Sequence, residues 1–440
     1  MFKNTDSNGR FHSDWCSMIY SRLELARNLL SDNGVIFISI DDNEESSLRM
    51  ICDEIFGGSN FVGCVILQTA TDNNPRQINT EHEYVLCYTK NMNSQAPWQA
   101  QSEKAQLIQD KYSELKTKYG HDTATIQDEL RKWIKKNADK LQGVIHYDNV
   151  DDKGVFHDGD IANTVFGGYK YEVIHPVTGK PCKIPEKGFR FAEATMREMI
   201  ANDEVMFGED ETTLIKPKKR LENARDVLRS VIYEDGRAST KQFEALMARD
   251  IFQNPKSPMI LERLIGFTVG EEDVAMDFFS GSGITAETIM RLNAKQQLGL
   301  KYIMIQLPEN LNESIKSANS RAKKTLENAI RFLDSIDKPH TICEIGKERI
   351  RRAGKKIVEE NKDKEGIENL DIDFRVLKLD DSNMNDVYYS PNEYSQDLLS
   401  ALESNVKSDR TDLDLLFGCL LEWGLPLSLP YSSESIEGSS

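Results

Sequence analysis

One stretch in the second half of the chain constrains the fold most, because an apolar run, two closely spaced glycines and a helical pattern follow one another. Val274 to Phe279 is typical of a buried strand, Gly281 and Gly283 form a Gly-x-Gly turn, and a helix is predicted to start near Thr285. Glycine lets the backbone approach a ligand closely, and a helix N-terminus offers free N–H groups. The stretch therefore indicates either an ordinary strand-to-helix connection or a cofactor-binding turn.

The segments around this stretch alternate between strand-like and helix-like patterns. Strands are predicted at residues 34–40, 61–68, 83–89, 302–306, 341–344 and 373–379. Helices are predicted at residues 15–30 (capped by Ser13 or Asp14), 44–56, 258–265, 314–333, 347–356 and 397–423. This alternation is typical of an α/β fold with a largely parallel sheet. Between the two blocks, residues 91–250 begin with two polar helical patterns and continue with turn-rich, aromatic sequence, so they are predicted to form an inserted domain.

Composition and charge exclude several classes of protein. No apolar run approaches the roughly 18 residues that a membrane helix needs, and no secretory signal is recognisable, so no membrane span is expected. Seven cysteines without a Cys-x-x-Cys pair argue against a disulfide framework or a metal site and favour a reducing, cytoplasmic location. Most of the net charge of −17 comes from the segment after residue 356, which contains 19 acidic and 6 basic residues. The rest of the chain is nearly balanced in charge, so a local basic face there is possible.

A series of short motifs then narrows the choice of family, since their order is more specific than any one of them. The motifs are Gly34-Val-Ile-Phe-Ile-Ser-Ile-Asp-Asp-Asn-Glu44, Asn254-Pro-Lys-Ser-Pro258, Asp277-Phe-Phe-Ser-Gly-Ser-Gly-Ile-Thr285, Ile305-Gln-Leu-Pro-Glu309, Thr341-Ile-Cys-Glu-Ile-Gly-Lys-Glu-Arg349, Phe374-Arg-Val-Leu-Lys-Leu379, Asp386-Val-Tyr-Tyr389 and Gly424-Leu-Pro-Leu-Ser-Leu-Pro430. With these motifs in this order the chain resembles the modification (Mod) subunit of type III restriction-modification systems, a DNA adenine-N6 methyltransferase of the circularly permuted β group.

The resemblance implies a fold and a division into domains. The expected fold is a Rossmann-like α/β core of the S-adenosylmethionine-dependent methyltransferases, circularly permuted, with an inserted α+β target-recognition domain and a partial C-terminal domain. Residues 1–90 are expected to form the catalytic half of the core, 91–250 the target-recognition domain, 251–360 the cofactor-binding half, and 361–440 the partial C-terminal domain with a disordered end. The implied reaction is methyl transfer from S-adenosylmethionine to adenine N6 in double-stranded DNA. The implied partners are a second Mod subunit and the restriction (Res) subunit.

The resemblance also assigns cofactor-binding residues around the glycine turn. Gly281 and Gly283 are expected to let the turn lie against the methionine and ribose parts of the cofactor. Asp277 is expected to hold the ammonium group, and Phe278 and Thr285 belong to the same motif.

Further cofactor residues are assigned on either side of this motif. Gln306, at the end of the next strand, and Glu309 close behind it are expected to meet the ribose hydroxyls, although a plain strand end and loop also explains them. Asn254, Lys256 and Ser257 precede the helix that is expected to pack beside the turn, and the resemblance places them at the cofactor too.

An NAD-dependent dehydrogenase is an alternative, because Gly281-Ser-Gly-Ile-Thr-Ala286 formally matches the fingerprint G-x-G-x-x-A. However, the strand ends in Asp277-Phe-Phe-Ser280 before the first glycine, whereas an NAD fingerprint brings that glycine directly off the strand. In addition, Gln306 stands where an acidic residue for the ribose would be expected. The sequence therefore favours S-adenosylmethionine.

The sequence departs from the family in one respect that concerns catalysis. It contains no Asp-Pro-Pro-Tyr loop, whose Asp and Pro accept hydrogen bonds from the target amine and whose Tyr stacks on the flipped base. In the family this loop comes shortly before the segment that corresponds to Phe11-His-Ser-Asp-Trp15. We therefore expect a truncated member that binds the cofactor but is inactive alone, so no catalytic residue is assigned. A non-catalytic DNA-binding or assembly fragment of a Mod subunit is the alternative.

The sequence supports its candidate DNA contacts less strongly than its candidate cofactor residues. Lys216, Lys218, Lys219 and Arg220 form a compact basic run within the predicted target-recognition domain, and clustered cations dominate affinity for nucleic acid. The same run is compatible with a solvated helix entry. The denser run from Lys347 to Lys356 fits either a solvent-exposed helix face or a subunit contact.

Overall fold

The computed structural model describes residues 9–68, 80–233, 236–385 and 405–434, and it contains one unit of Met1–Glu368 and a second of Asn369–Ser440. The strands are β1 (Val35–Ile40), β2 (Phe61–Gln68), β3 (His82–Thr89), β4 (Gln99–Gln101), β5 (Asn149–Asp151), β6 (Gly154–Asp158), β7 (Val205–Met206), β8 (Lys216–Arg220), β9 (Arg225–Val227), β10 (Val231–Tyr233), β11 (Val274–Asp277) and β12 (Lys301–Met304). The α-helices are α1 (Phe11–Leu29), α2 (Glu45–Cys52), α3 (Glu103–Tyr119), α4 (Thr123–Lys136), α5 (Glu193–Ala201), α6 (Gly236–Leu246), α7 (Pro258–Gly266), α8 (Ile284–Gln296), α9 (Leu311–Ser314), α10 (Ser320–Ser335), α11 (Ile342–Glu360) and α12 (Asp412–Glu422).

The principal sheet has the order β1-β3-β2-β10 and is mixed rather than largely parallel. β3 runs antiparallel to both β1 and β2, whereas β10 runs parallel to β2. The expectation of a largely parallel sheet is wrong for this part of the chain. An antiparallel return from β2 to β3 needs no crossover helix, and the sequence between them has no helical apolar pattern.

Helix α1 of the N-terminal block follows the predicted periodicity. On α1, Ile19, Leu23 and Ala26 are buried at spacings of four and three, as the sequence predicts for one buried helix face. The helix begins earlier than expected, since Ser13 and Asp14 lie within its first turn and make no capping bond. Their residue types are typical of caps, but the cap position is set by the backbone.

β11 and β12 form a separate two-stranded parallel sheet, with Asp277 opposite Met304 at its end. α8 packs between β12, α7 and α11, so its side of this sheet is covered. The apolar residues on the opposite face are 38% to 55% exposed. They are Val274 and Met276 of β11, Ile303 of β12, and Ile305 directly after β12. Parallel sheets are normally covered on both faces.

The segment between the two blocks has its own apolar clusters. One cluster joins α3 and α4 to β5 and β6, and another surrounds Phe189, as expected for an inserted domain. β10 comes from the range predicted as the insertion, yet it pairs with β2. Its Ile232 packs with Val65 and with Leu264 of α7. This cluster therefore joins three distant parts of the chain. The domain boundaries at 90, 250 and 360 stay predictions.

Several predicted elements differ from the structure. Thr341 makes only an isolated bridge with Asn310, and α11 begins at the next residue, because apolar positions from Ile342 to Ile357 already follow the helical period. No strand forms at residues 373–379, which take no part in any of the sheets that the structure describes. The helix predicted at 314–333 is divided into α9, a 3₁₀ turn and α10.

Two further predictions fall partly or wholly outside the described residues. Of the helix predicted at 397–423, residues 397–404 lie outside the described residues, and the helix prediction is wrong for residues 405–411. The helix α12 begins at Asp412, where Thr411 forms a capping box with Asp414. The motif Asp386-Val-Tyr-Tyr389 lies outside the described residues. In the part of the chain that the structure describes, no helix is long and apolar enough to cross a membrane.

Candidate functional site

The turn between β11 and α8 is organised by the carboxylate of Asp277 at the end of the strand. Its Oδ1 accepts a hydrogen bond from the backbone N–H of Phe279 at 3.0 Å, and its Oδ2 accepts one from the Thr285 hydroxyl at 2.7 Å. These two bonds connect the strand end to the first turn of α8. An ionised carboxylate offers about four lone-pair positions, so each oxygen can accept a further donor.

The end of β12 completes this arrangement from the neighbouring strand. The N–H of Gly281 donates to the side-chain Oε1 of Gln306 at 2.8 Å, and the N–H of Ile305 donates to the Asp277 carbonyl at 2.8 Å. The structure therefore brings four of the sequence-predicted cofactor residues together, namely Asp277, Gly281, Thr285 and Gln306. The Gln306 side chain binds the turn itself, a role that sequence reasoning did not predict.

The two glycines of the turn have different surroundings. Gly283 has a φ of +78°, and a Cβ there would lie 3.0 Å from the Gly346 carbonyl oxygen of α11. Gly281 has a φ of +49°, but the nearest atom to its ideal Cβ is a ring carbon of Phe252 at 3.5 Å, an ordinary contact. Gly283 is thus required by a contact within the protein, whereas a Cβ at Gly281 would fit in ordinary contact with Phe252.

The segment before α7 lies near the turn, since Phe252 is next to Gly281, but two of its predicted cofactor residues have other partners. Lys256 pairs with Glu83 of β3, with Nζ and Oε2 2.7 Å apart. Ser257 is buried and caps α7 by accepting the N–H of Met259 at 3.1 Å. Asn254 is exposed and has a φ of +47°.

The two remaining predicted residues also have partners within the chain. Phe278 packs against the apolar cluster around α1 and β1, while the ring of the neighbouring Phe279 is 54% exposed. Glu309 is exposed and accepts a hydrogen bond from the Ser314 hydroxyl.

Sequence reasoning missed a buried ionic group behind the turn. Arg349 of α11 and Glu287 of α8 are each only 2% exposed and form an ion pair, with Nε and Oε2 2.8 Å apart. Arg349 Nη1 also donates to the Ser282 hydroxyl of the turn at 2.7 Å. Burial lowers the pKa of the Arg349 guanidinium, and the attraction of Glu287 offsets only part of this effect. The sequence did carry an indication, because Arg349 falls on the helix face that also buries Ile345 and Ala353.

The basic run from Lys216 to Arg220 is strand β8 and not a helix entry, so its side chains alternate between two faces. On one face the cations are bound to carboxylates. Lys218 and Arg220 both pair with Asp151, and Lys216 pairs with Asp158.

Lys219 points to the other face, where its environment differs. It is exposed, it lies opposite His157 of β6, and no carboxylate pairs with it among the described residues. The rings of His157 and His146 lie 4.4 Å apart, centroid to centroid. Burial lowers the pKa of His146, and the nearby His157 and Lys219 act in the same direction.

The glycine turn lies within a region of the chain that matches a known family. A family model for DNA methylases matches residues 2–317. The chain belongs to the DNA methylase family. The α/β fold predicted for that family is confirmed.

The curated relatives of this DNA methylase include type III Mod subunits, which confirms the predicted resemblance. The chain is 36% identical over 350 residues to the EcoP15I Mod subunit of Escherichia coli, an alignment that covers 78% of the chain and 51% of that protein. It is 29% identical over 352 residues to the StyLTI Mod subunit of Salmonella typhimurium, covering 79% and 46%. The chain thus spans about half the length of these relatives.

A solved structure described as a DNA modification methylase, from Thermus thermophilus with S-adenosyl-L-methionine, is 12% identical and has a TM-score of 0.29, with 76% of the chain and 84% of that protein covered.

The contrast between the two glycines predicts unequal costs of substitution. A left-handed backbone conformation costs a residue other than glycine about 1–2 kcal/mol, so Gly281→Ala is expected to lower the free energy of unfolding by about that amount. Gly283→Ala is expected to cost distinctly more, because its methyl group also pushes α11 away from the turn. Urea unfolding of both variants measures the difference. Equal costs would contradict the close contact between Gly283 and Gly346.

Proposed function

We propose that this chain contributes the cofactor-binding and DNA-binding parts of an adenine-N6 DNA methyltransferase of a type III restriction-modification system. The cofactor is S-adenosylmethionine and the substrate is double-stranded DNA. The proposed partners are a Mod subunit and the Res subunit, and the proposed location is the cytoplasm. The observation that carries the proposal is the convergence of Asp277, Gly281 and Gln306 at the ends of two parallel strands, where ligands of α/β proteins bind.

The side chains at these strand ends fit such a cofactor. Asp277 has lone pairs left for the ammonium group, and Gly281 carries no side chain that would keep a ligand away from the backbone of the turn. The Gln306 Nε2 has only a 3.3 Å bond to its neighbour's carbonyl, so it can donate to a ribose hydroxyl. The exposed ring of Phe279 offers an apolar surface beside them.

The contributions of the other predicted cofactor residues are unequal. Thr285 acts by fixing the Asp277 carboxylate, and Ser257 acts by starting α7. Lys256 is held by Glu83, so its ammonium group would first have to release this carboxylate to contact the cofactor. Four further residues stay predicted cofactor residues, namely Asn254, Phe278, Gly283 and Glu309.

The methyl group to be transferred is supplied by S-adenosylmethionine when it is bound. This chain's own residues bind and orient that molecule. The groups that orient the target amine in this family belong to an Asp-Pro-Pro-Tyr loop, which this sequence does not contain. We propose that a different polypeptide segment supplies them, and that the chain alone does not transfer methyl groups.

Calorimetric titration of S-adenosylmethionine tests the cofactor site. Asp tolerates the left-handed backbone conformation, so Gly281→Asp mainly adds a carboxylate side chain beside the turn. It is expected to weaken cofactor binding at least about tenfold. Gly299→Asp is the matched control, since Gly299 is also left-handed and has room for a Cβ, but precedes β12. No binding by the parent chain, or equal binding by Gly281→Asp, would overturn the site. Methyl transfer from labelled cofactor to DNA is expected to stay at background.

Residues 91–250 are the proposed target-recognition domain, apart from β10, which belongs to the principal sheet. Of the four basic residues proposed for DNA contact, Lys219 is supported best, because its ammonium group is exposed and unpaired among the described residues. Lys216, Lys218 and Arg220 would first have to release a carboxylate, which lowers the net gain from a phosphate contact.

Two single substitutions on the same strand distinguish these faces. Lys219→Ala is expected to reduce the magnitude of the slope of log affinity against log salt concentration by about 1, which corresponds to the loss of one phosphate contact. Lys216→Ala on the opposite face is expected to leave the slope nearly unchanged, because its ammonium is already bound by Asp158. Fluorescence anisotropy of a labelled duplex between low and moderate salt measures both. The proposal for Lys219 fails when the two variants have the same slope as the parent.

A second function is favoured by the exposed apolar face of β11 and β12. A parallel sheet that is covered on one side only leaves hydrophobic surface for another polypeptide. We propose that the chain docks through this face on a full-length Mod subunit, as an assembly fragment without chemistry of its own.

Co-elution with a full-length Mod subunit in size-exclusion chromatography with light scattering tests this second function. Ile303→Lys places a charge at the centre of the face, where Ile303 is 45% exposed, and is expected to abolish the complex. Val177→Lys is the control, since Val177 is 84% exposed within the inserted domain. An unchanged complex with Ile303→Lys would exclude this face as the docking surface.

A further inference from the structure

The basic run of α11 was expected to be a solvent-exposed face or a subunit contact, but its most buried cation lies against the cofactor turn. Arg349 is enclosed by the turn, by α8 and by the ring of Phe243, whose centroid lies 5.1 Å from the guanidinium carbon. A buried arginine is expensive unless its donors are satisfied. Here Nε binds Glu287 and Nη1 binds Ser282, so both partners lie in or directly after the glycine turn.

The partner carboxylate is itself held from two sides. Glu287 accepts Arg349 through Oε2 and accepts Nε and Nη2 of Arg291 through Oε1, at 3.0 and 2.9 Å. Arg291 lies one turn further along α8, so the Glu287 side chain has little freedom to rotate. This carboxylate therefore fixes the guanidinium plane, and the fixed guanidinium directs Nη1 to the Ser282 hydroxyl.

Ser282 is the residue between the two glycines, and its side chain determines how the turn is oriented. It is 4% exposed and directed inward to Arg349, so the backbone of Gly281 is directed to the side where Gln306 and Asp277 lie. Gly346, one helical turn before Arg349, contacts the same turn, since a Cβ on Gly346 would lie 3.2 Å from the Gly281 carbonyl oxygen. α11 thus touches the turn through a backbone contact and a directed hydrogen bond.

We propose that Arg349 is a positioning residue for the cofactor turn, acting through Ser282 to hold Gly281 and Gly283 in the conformation that binds S-adenosylmethionine. The inference rests on the proposed function, since it concerns the same site. Arg349 does not touch the cofactor. It fixes the side of the turn that faces the protein, and Glu287 fixes Arg349.

The matched variants separate positioning from general stability. Ser282→Ala removes only the hydroxyl that Arg349 holds and leaves the Arg349–Glu287 ion pair in place. Arg349→Lys keeps a cation beside Glu287 but cannot donate to both partners in one plane. Arg352→Met is the control on the next turn of α11, where Arg352 binds Glu348 and the carbonyls of Leu246 and Met247 instead.

Two measurements on each variant of the 440-residue chain test the proposal: calorimetric titration of S-adenosylmethionine and hydrogen–deuterium exchange of the peptide that contains residues 279–284. Ser282→Ala and Arg349→Lys are expected to weaken binding about tenfold or more and to speed exchange of that peptide, because a hydrogen bond from a charged group is lost. Arg352→Met is expected to change neither, even where its thermal midpoint falls.

The outcomes separate the inference from the function on which it rests. Cofactor binding by the parent and equally tight binding by Ser282→Ala, with unchanged exchange, would overturn the positioning role alone. Absence of binding by the parent would overturn the proposed function and the inference with it. Weakening by Arg352→Met to the same extent as by Ser282→Ala would show that loss of stability, not positioning, is responsible.

Discussion

The close contact between Gly283 and Gly346 is the constraint on which the candidate site depends. Two residues without side chains allow α11 to lie directly on the turn between β11 and α8. That approach brings Arg349 within reach of Ser282 and buries its ion pair with Glu287. With the inner side of the turn fixed in this way, Asp277 and Gln306 can hold its outer side. The site is thus built from helices and strands whose residues lie far apart in the sequence.

Much of the fold could be predicted from the sequence, because the relevant signals are local. The strand, glycine turn and helix around Gly281 follow from apolar run length and residue type, and α1 follows from its apolar period. The antiparallel direction of β3 was missed because the strand–helix alternation was extended to β2 and β3, although the sequence between these strands has no helical pattern for a parallel crossover. The strand expected at 341–344 is wrong for a related reason, since a four-residue window ignores the apolar period that continues to Ile357.

The candidate site residues show the same difference between local and long-range signals. Asp277, Gly281, Thr285 and Gln306 belong to contiguous motifs, and the structure brings them together. Arg349 could not be assigned, because its role depends on a contact with Ser282 that is 67 residues away in the sequence. The basic run at 216–220 shows the reverse case. Its composition suggested one cationic patch, but strand alternation sends Lys219 to one face and places Lys218 beside Asp151 on the other.

Photo-crosslinking of S-adenosyl-L-[methyl-³H]methionine to the chain, followed by peptide mapping, tests the central claim most directly, because it reports where the cofactor lies. Label is expected in peptides containing residues 277–285 or 302–309, and excess unlabelled cofactor is expected to prevent this labelling. Label confined to peptides of the inserted segment, or label that unlabelled cofactor does not displace, would contradict the account.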